Sequence, residues 1–147
     1  MAKPDSDAKD QAELQKLLNE LQDFACSLVD KAGGFPPIGG TVDIAGQVGL
    51  VVEGTPVATK SGQEQLNKVL DALRQEAAPP TIQAAGLTYM ATVGGNPAAR
   101  TPAVISSLHH RSGMLVDVIL PYSRDAKGKV TFGEQSIQDG SLRILAP

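Results

Sequence analysis

The sequence predicts an α+β domain in which an antiparallel sheet of about five strands carries two α-helices, in the order α-β-β-α-β-β-β. Two segments repeat apolar residues at helical spacing, whereas most of the other segments alternate polar and apolar residues as strands do. The connections are short and contain glycine, which favours antiparallel neighbours. With 147 residues, 41% of them apolar, the chain has the size of one domain.

The first helix is predicted over residues 9–32. Aliphatic residues recur there at intervals of three and four, which places them on one face of a helix. Asp10 and Glu13 form a capping pair, and the adjacent Gly33 and Gly34 suit the left-handed conformation that ends a helix. The apolar stripe consists of Leu14, Leu17, Leu18, Leu21, Ala25, Leu28 and Val29.

The segments on either side of this helix differ in composition. Residues 1–7 are small, charged or proline and predict a flexible arm, which leaves residues 8–147 as a single domain. Segment 35–40 contains two prolines without amide hydrogens and two glycines, so it predicts an extended connector rather than a strand. A hairpin is predicted next, with strands over residues 41–44 and 48–53 around a three-residue tip that contains glycine.

The start of the second helix is predicted at Ser61 and Glu64, which have the spacing of a capping box. Pro79, with a second proline after it, ends this helix. From Ile82 the pattern changes to strict alternation and predicts a half-buried strand. The apolar residues of the helix are Leu66, Val69, Leu70, Leu73 and Ala77.

The most informative segment is a hairpin of residues 103–110 and 114–120. A loop of residues 111–113, with its glycine in the left-handed position, makes one face of the hairpin apolar. A two-residue loop would instead set Leu108 against Asp117, so the hydrophobic pattern selects the first register. That register pairs Val104 with Leu120, Ser106 with Val118 and Leu108 with Val116.

Two further segments follow the hairpin. Residues 130–132 predict a short strand, and residues 142–145 predict a final edge segment. The resulting order of elements is similar to that of profilin-like and roadblock-like folds, an analogy that carries no function.

Composition limits the function classes. The net charge of −3 lies in the first 34 residues, where four lysines stand against seven acidic residues. Aromatic residues make up 3% of the chain, so a basic surface with stacking aromatics, as in nucleic-acid binders, is not expected. No apolar run approaches the roughly 20 residues of a membrane span, and no secretory signal is recognised. We therefore expect a cytoplasmic protein without nucleic-acid or membrane partners, whose single Cys26 packs in the core.

Ser107, His109 and Asp117 share one face of the predicted hairpin. Ser107 lies opposite Asp117, and His109 is a diagonal neighbour on the same face. These residue types suit hydrolysis in which a histidine activates a hydroxyl and an acid orients the histidine. No element that would stabilise an oxyanion accompanies them. They are interpreted as the solvent-exposed side of the hairpin, and catalysis by them is the alternative.

Other binding chemistry has weaker signals. His109 and His110 are adjacent in a strand and point to opposite faces, and no recognised metal-ligand spacing occurs, so no metal site is predicted. No glycine-rich segment has the context of a phosphate loop, and no cofactor is predicted. Arg100, Arg111 and Arg124 are the candidates for binding an anion.

Two motifs carry a resemblance to other proteins. They are Phe35-Pro36-Pro37-Ile38-Gly39-Gly40 and His110-Arg111-Ser112-Gly113, the second running on to Leu120-Pro121-Tyr122. Over residues 35–122 the chain resembles an uncharacterised set of small bacterial cytoplasmic proteins, which have an F-x-P-x-G connector and an H-R-x-G hairpin that ends in L-P-Y. Ile38 stands where that set more often has a second aromatic residue. The resemblance implies a bacterial cytoplasmic origin and an α+β fold, and it supplies no active site.

The sequence favours a non-enzymatic protein-interaction module that associates with itself as a homo-oligomer. Two amphipathic helices and a sheet face of mixed polarity present more apolar surface than one core hides. Ile105, Leu115 and Ile119 are predicted to mark the contact. The alternative hypothesis is a hydrolase or small-ligand binder that uses His109 and Asp117.

Overall fold

A computed structural model describes residues 4–32, 37–51, 62–93 and 101–145 of the chain. Within these residues the chain forms two helices and seven strands, and every strand pair is antiparallel, which confirms the predicted α+β class. The elements are α1 (Pro4–Ala32), β1 (Ile38–Asp43), β2 (Val48–Val51), α2 (Gly62–Glu76), β3 (Ile82–Val93), β4 (Thr101–His110), β5 (Leu115–Arg124), β6 (Val130–Phe132) and β7 (Ser136–Asp139).

The strands form one sheet in the order β2-β1-β3-β4-β5, and β6 and β7 share the outer edge of β5. Helix α1 packs across β1, β3 and β4 on one face. Helix α2 packs over β1, β2 and β3 on the other face, where a second apolar cluster forms. The described part of the chain therefore has three layers, with a core on each face of the sheet.

Helix α1 begins at Pro4, so residues 4–7 are helical, whereas the composition predicts an arm over residues 1–7 and a helix start near residue 9. Proline suits the first turn because the amide hydrogen that it lacks has no intrahelical partner there. The predicted apolar stripe faces the sheet. Its buried members are Leu14, Leu17, Leu18, Leu21, Ala25 and Val29, and Leu28 is partly buried.

The connector predicted over residues 35–40 is wrong at its last three residues, which belong to β1 in the interior of the sheet. The glycines of this strand allow both helices to approach closely. A Cβ atom at Gly39 would lie 3.0 Å from Cδ1 of Leu73 in α2, and one at Gly40 would lie 2.9 Å from Cδ1 of Leu17 in α1. The two glycines thus mark places of close packing rather than a break in the sheet.

The register predicted for the hairpin of β4 and β5 is confirmed at Val104–Leu120, Ser106–Val118 and Leu108–Val116. Gly113 in its loop has a φ of 103°, in the left-handed region that glycine adopts without steric cost. The hydroxyl of Ser106 lies 2.8 Å from that of Thr88 in β3, so these two buried groups satisfy each other under α1.

The last predicted strand lies elsewhere in the chain. The sequence predicts an edge segment over residues 142–145, but these residues form no strand, and β7 takes that edge instead. Segment 142–145 packs on the α2 side of the sheet, where Ile144 and Leu145 are buried with residues of α2 and β3. Because β6 and β7 already occupy the edge of β5, burial of these two side chains decides the path of the chain end.

Several predicted features lie outside the described residues, so nothing is said of their structure. These features are residues 1–3, the glycine stop and first part of the connector at residues 33–36, the end of the second hairpin strand at residues 52–53, the Ser61 cap and Arg100.

Neither helix in the described ranges has an apolar stretch of the length that crossing a membrane requires.

Candidate functional site

The structure brings Ser107, His109 and Asp117 to one face of the sheet, as the register predicts. Ser107 lies opposite Asp117, and His109 lies opposite Leu115. The prediction that this face is open to solvent is wrong: Ser107 is 4% exposed and His109 is 6% exposed. Helix α2 and residues 141–145 cover this side of the sheet, and the alternation within the hairpin carries no sign of this cover.

His109 holds residues 141–145, called the C-terminal segment below, against the sheet. Its Nδ1 accepts hydrogen bonds from the backbone N–H groups of Ile144 and Leu145, each at 3.0 Å. Burial lowers the pKa of His109, and the charges of Arg143, Arg111 and His110 lower this pKa further. The neutral ring, with Nδ1 accepting, carries its proton on Nε2, so neither nitrogen is free to act as a base.

A pocket of about 290 Å³ lies where α2, the sheet and the C-terminal segment meet. Ser107 and Asp117 form part of its wall, and no hydrogen bond joins either of them to His109 within the described ranges. Oδ1 of Asp117 is buried and has no hydrogen-bond partner there. The rest of the wall is formed by Leu66, Leu70, Leu87, Tyr89, Ser141 and Leu142.

An apolar groove of about 270 Å³ opens on the opposite face, between the first half of α1 and the edge of the sheet. Core side chains of β4 and β5, among them Leu108, Val116 and Val118, reach its floor. Ile137 of β7 stands at its rim with 65% of its surface exposed. All four residues of β7 are exposed, and sequence reasoning missed this strand because its apolar content is a single residue.

The three residues predicted to mark a contact lie on the α2 side of the sheet. Ile105 is directly opposite Ile119, and Leu115 is opposite His109 at the other end of the hairpin. All three are half-buried. They are thus less accessible than Ile137, which lies at the opposite face.

The structure uses Arg111 and Arg124 to hold backbone carbonyl groups. Nε of Arg111 donates to the carbonyl oxygen of Ile82 at 2.7 Å, and Nη2 of Arg124 donates to that of Val29 near the end of α1 at 2.7 Å. The two arginines flank opposite ends of β5, roughly 30 Å apart at the rise of a strand. They do not converge on one anion, and Arg100 lies outside the described residues.

His110 faces α1 and meets two acidic residues of that helix. Nε2 of His110 lies 3.2 Å from Oε1 of Glu13 and 3.4 Å from Oδ1 of Asp10. These three groups could together hold a metal ion. The sequence pattern around His110 does not reveal the cluster, because the two acidic residues lie about 100 residues away in the chain. The spacing of Asp10 and Glu13 on one helix face was the available signal.

Cys26 of α1 is half-buried rather than enclosed in the core. Burial raises the pKa of its thiol, and the nearby carboxylate of Asp23 raises it further. A thiol with a raised pKa has less of the reactive thiolate, so nothing marks this cysteine as a nucleophile.

Comparison with known proteins finds no matching family model, no matching curated protein and no matching solved structure. The resemblance to small bacterial proteins and the likeness to profilin-like and roadblock-like folds therefore stay predictions. Function has to be argued from the geometry of this chain.

Proposed function

We propose that the chain is a non-enzymatic protein-interaction module that associates with a second copy of itself through β7 and the apolar groove beside it. The observation that carries this proposal is the combination of an exposed edge strand, a protruding Ile137 and an open apolar groove in one patch. Exposed edges and contiguous apolar patches are where sheet proteins bind partners.

Within the described residues β7 pairs with β5 alone, so its other edge offers backbone groups for pairing. Gly140 donates its N–H to the carbonyl oxygen of Leu115, which defines the hydrogen-bonded positions of the β5–β7 ladder. Since these positions alternate along an antiparallel pair, the backbone groups of Ile137 and Asp139 point away from β5. A strand added at this edge could form hydrogen bonds with the backbone N–H and C=O groups of Ile137 and Asp139.

A second copy fits this patch better than an unrelated segment because the patch contains both complementary parts. A two-fold contact brings the same surface of each chain together, so a protruding side chain and the groove that receives it must both belong to that surface. Ile137 is the protruding side chain, and the apolar groove beside it is the site that would receive Ile137 of the second copy. Pairing of the two β7 strands would join the sheets into one.

The test is the mass of the protein in solution, measured by sedimentation or light scattering over a range of concentrations. We expect a dimer for the native chain and a monomer for Ile137→Lys, since the lysine places a charge in the contact. Ile44→Lys is the matched control: Ile44 is 64% exposed but lies in the turn between β1 and β2, at the opposite edge of the sheet.

A native chain that is monomeric throughout, or equal masses for the two lysine variants, would contradict the proposal. Ile119→Lys separates this edge from the contact that the sequence predicted. If it abolishes the dimer in a chain that still folds, while Ile137→Lys does not, the contact lies on the α2 side.

A second candidate function, binding of a small molecule, is favoured by Asp117. A buried carboxylate oxygen without a partner costs about 1–3 kcal/mol or more, so a ligand that supplies an N–H donor near this residue would be favoured. The apolar wall of the pocket suits a ligand with a short hydrocarbon body. The geometry favours binding over hydrolysis, since His109 has no free basic nitrogen.

Titration with hexylamine and hexanol, followed by amide chemical shifts, tests this candidate. We expect the amine to bind more tightly than the alcohol, and Asp117→Asn to remove the difference. Asp71→Asn, at an exposed residue of α2, is the control and should bind as the native chain does. Absence of shifts around the pocket with both compounds would rule the candidate out.

A further inference from the structure

We propose that Asp10, Glu13 and His110 form a binding site for a divalent transition-metal ion, with Zn²⁺ as the ion that the geometry fits. The proposal rests on these three side chains and not on the contact proposed through β7. The three residues come from α1 and the end of β4, and their ligand atoms all lie within 4.8 Å of one another.

Two of the three distances between ligand atoms match those of a tetrahedral site, and the third, between the two carboxylate oxygens, is at most 4.8 Å. Zinc–nitrogen and zinc–oxygen bonds of about 2.0–2.2 Å place neighbouring ligand atoms roughly 3.3–3.6 Å apart. Nε2 of His110 lies 3.2 Å from Oε1 of Glu13 and 3.4 Å from Oδ1 of Asp10. An ion could therefore enter with small adjustments of the side chains.

Ser112 holds the imidazole in position from its other side. The backbone N–H of Ser112 donates to Nδ1 of His110 at 3.1 Å, and the hydroxyl oxygen of Ser112 lies 3.0 Å from the same nitrogen. With Nδ1 accepting this N–H, the proton of the neutral ring lies on Nε2, beside Glu13. Metal binding at Nε2 therefore requires the other tautomer, in which the proton lies on Nδ1 and the hydroxyl oxygen of Ser112 accepts it. Ligating histidines generally donate their other ring N–H to an acceptor, and the hydroxyl oxygen of Ser112 is the acceptor within reach.

Charge also favours a cation at this place. Two carboxylates face one imidazole, so even a protonated His110 leaves an excess negative charge. The His110 side chain is 4% exposed, whereas those of Asp10 and Glu13 are 16% and 13% exposed, so solvent reaches the site from the helix side. Three protein ligands with an approach for water leave a fourth position for a water molecule.

The bound ion would connect two distant parts of the chain. His110 precedes the β4–β5 loop, and Glu13 lies 97 residues earlier in α1. An ion that binds the folded chain and not the unfolded chain stabilises the fold. Binding should therefore raise the unfolding temperature as well as produce heat in a titration.

The experiment is a zinc titration of the metal-free full chain by calorimetry, together with thermal unfolding with and without zinc. We expect one ion per chain and a zinc-dependent rise in unfolding temperature. Glu13→Gln keeps a hydrogen-bond acceptor for His110 but removes the charged ligand, and should weaken binding at least about tenfold. Ser112→Ala should weaken it about 10–100-fold.

Glu20→Gln is the matched control, since Glu20 is exposed on the same helix and should leave binding unchanged. Asp10→Asn replaces Glu13→Gln if the latter chain does not fold. The proposal is overturned if the native chain shows neither heat nor stabilisation with zinc in excess, or if Glu13→Gln and Glu20→Gln bind alike. If zinc produces neither heat nor stabilisation, the three residues form only the contacts of His110 with Asp10 and with Glu13.

Discussion

His109 and His110 are neighbours in β4 and face opposite sides of the sheet. The first is buried against the C-terminal segment, where it accepts two backbone hydrogen bonds. The second faces the acidic side chains of α1. Their separation follows from the alternation of a strand, but the environment of each ring depends on which layer covers that face.

The hydrogen bonds of His109 predict a loss of stability in acid. The pKa of His109 is lowered from its ordinary value of 6.5, so the unfolded chain binds more protons than the folded chain below that pH. The contribution of the neutral ring is complete above pH 6.5 and falls as the pH drops through 6.5 towards the lowered pKa. Protonation of Nδ1 would also turn an acceptor into a donor that faces two N–H groups.

His109→Asn is the variant that isolates this effect. The amide oxygen of asparagine can accept from Ile144 and Leu145 without titrating, so the variant should lose less stability than the native chain between pH 7 and pH 5. The measurement is the free energy of unfolding in denaturant, with a chelator present to keep His110 metal-free. Parallel pH profiles for the two chains would contradict this role. His109→Leu leaves the two donors unpaired and should cost about 1–3 kcal/mol.

Glycine in β1 and β3 determines how closely the helices pack on the sheet. Gly40 and Gly86 lie opposite each other in these strands, and leucine side chains of α1 pack directly over both. In the sequence, Gly39 and Gly40 follow closely after two prolines, and this composition predicts a connector because glycine weakens an isolated strand. The contact with a helix outweighs that preference, and such a contact is not visible in local pattern.

Gly86→Ala should therefore destabilise the protein. The added Cβ would lie 2.7 Å from Cδ2 of Leu108 and 3.0 Å from Cδ1 of Leu21, so packed side chains must move. We expect a loss of about 1–3 kcal/mol in the free energy of unfolding, measured by chemical denaturation.

Gly49→Ala in the edge strand β2 is the control for this measurement. Its Cβ would lie 3.5 Å from Oγ1 of Thr41, an ordinary contact, so the change should stay within about 0.5 kcal/mol. Equal losses for the two alanine variants would mean that the α1 layer does not set the requirement for glycine.

At the scale of the described chain, both faces of the sheet carry a covering layer. Helix α1 covers one face, while α2 and the C-terminal segment cover the other. The two amphipathic helices leave little apolar surface for self-association, because each helix buries its apolar stripe against the sheet of the same chain. Large apolar side chains are still exposed at several places in the described residues, and of these Ile137 adjoins the apolar groove. The others are Phe24, Ile44, Leu50 and Met90.

The C-terminal segment should contribute to global stability although it has no regular structure. Ile144 is 3% exposed within the second core, and Ile144→Ala should lower the free energy of unfolding by about 2–5 kcal/mol. Ile137→Ala removes the same atoms from an exposed residue and should change it by less than about 0.5 kcal/mol, measured at low protein concentration. Comparable losses would mean that the segment does not pack as described.

The amino-acid sequence alone determined the class, the order of the main elements and the register of the β4–β5 hairpin. Those features depend on local periodicity and on glycine in a tight loop, which neighbouring residues reveal. Tertiary structure decided that α2 and residues 141–145 cover the face with Ser107 and His109, and that Gly39 and Gly40 belong to a strand. It also placed His110 beside Asp10 and Glu13. Each of these depends on contacts between segments far apart in the chain, whose energies have no local signature.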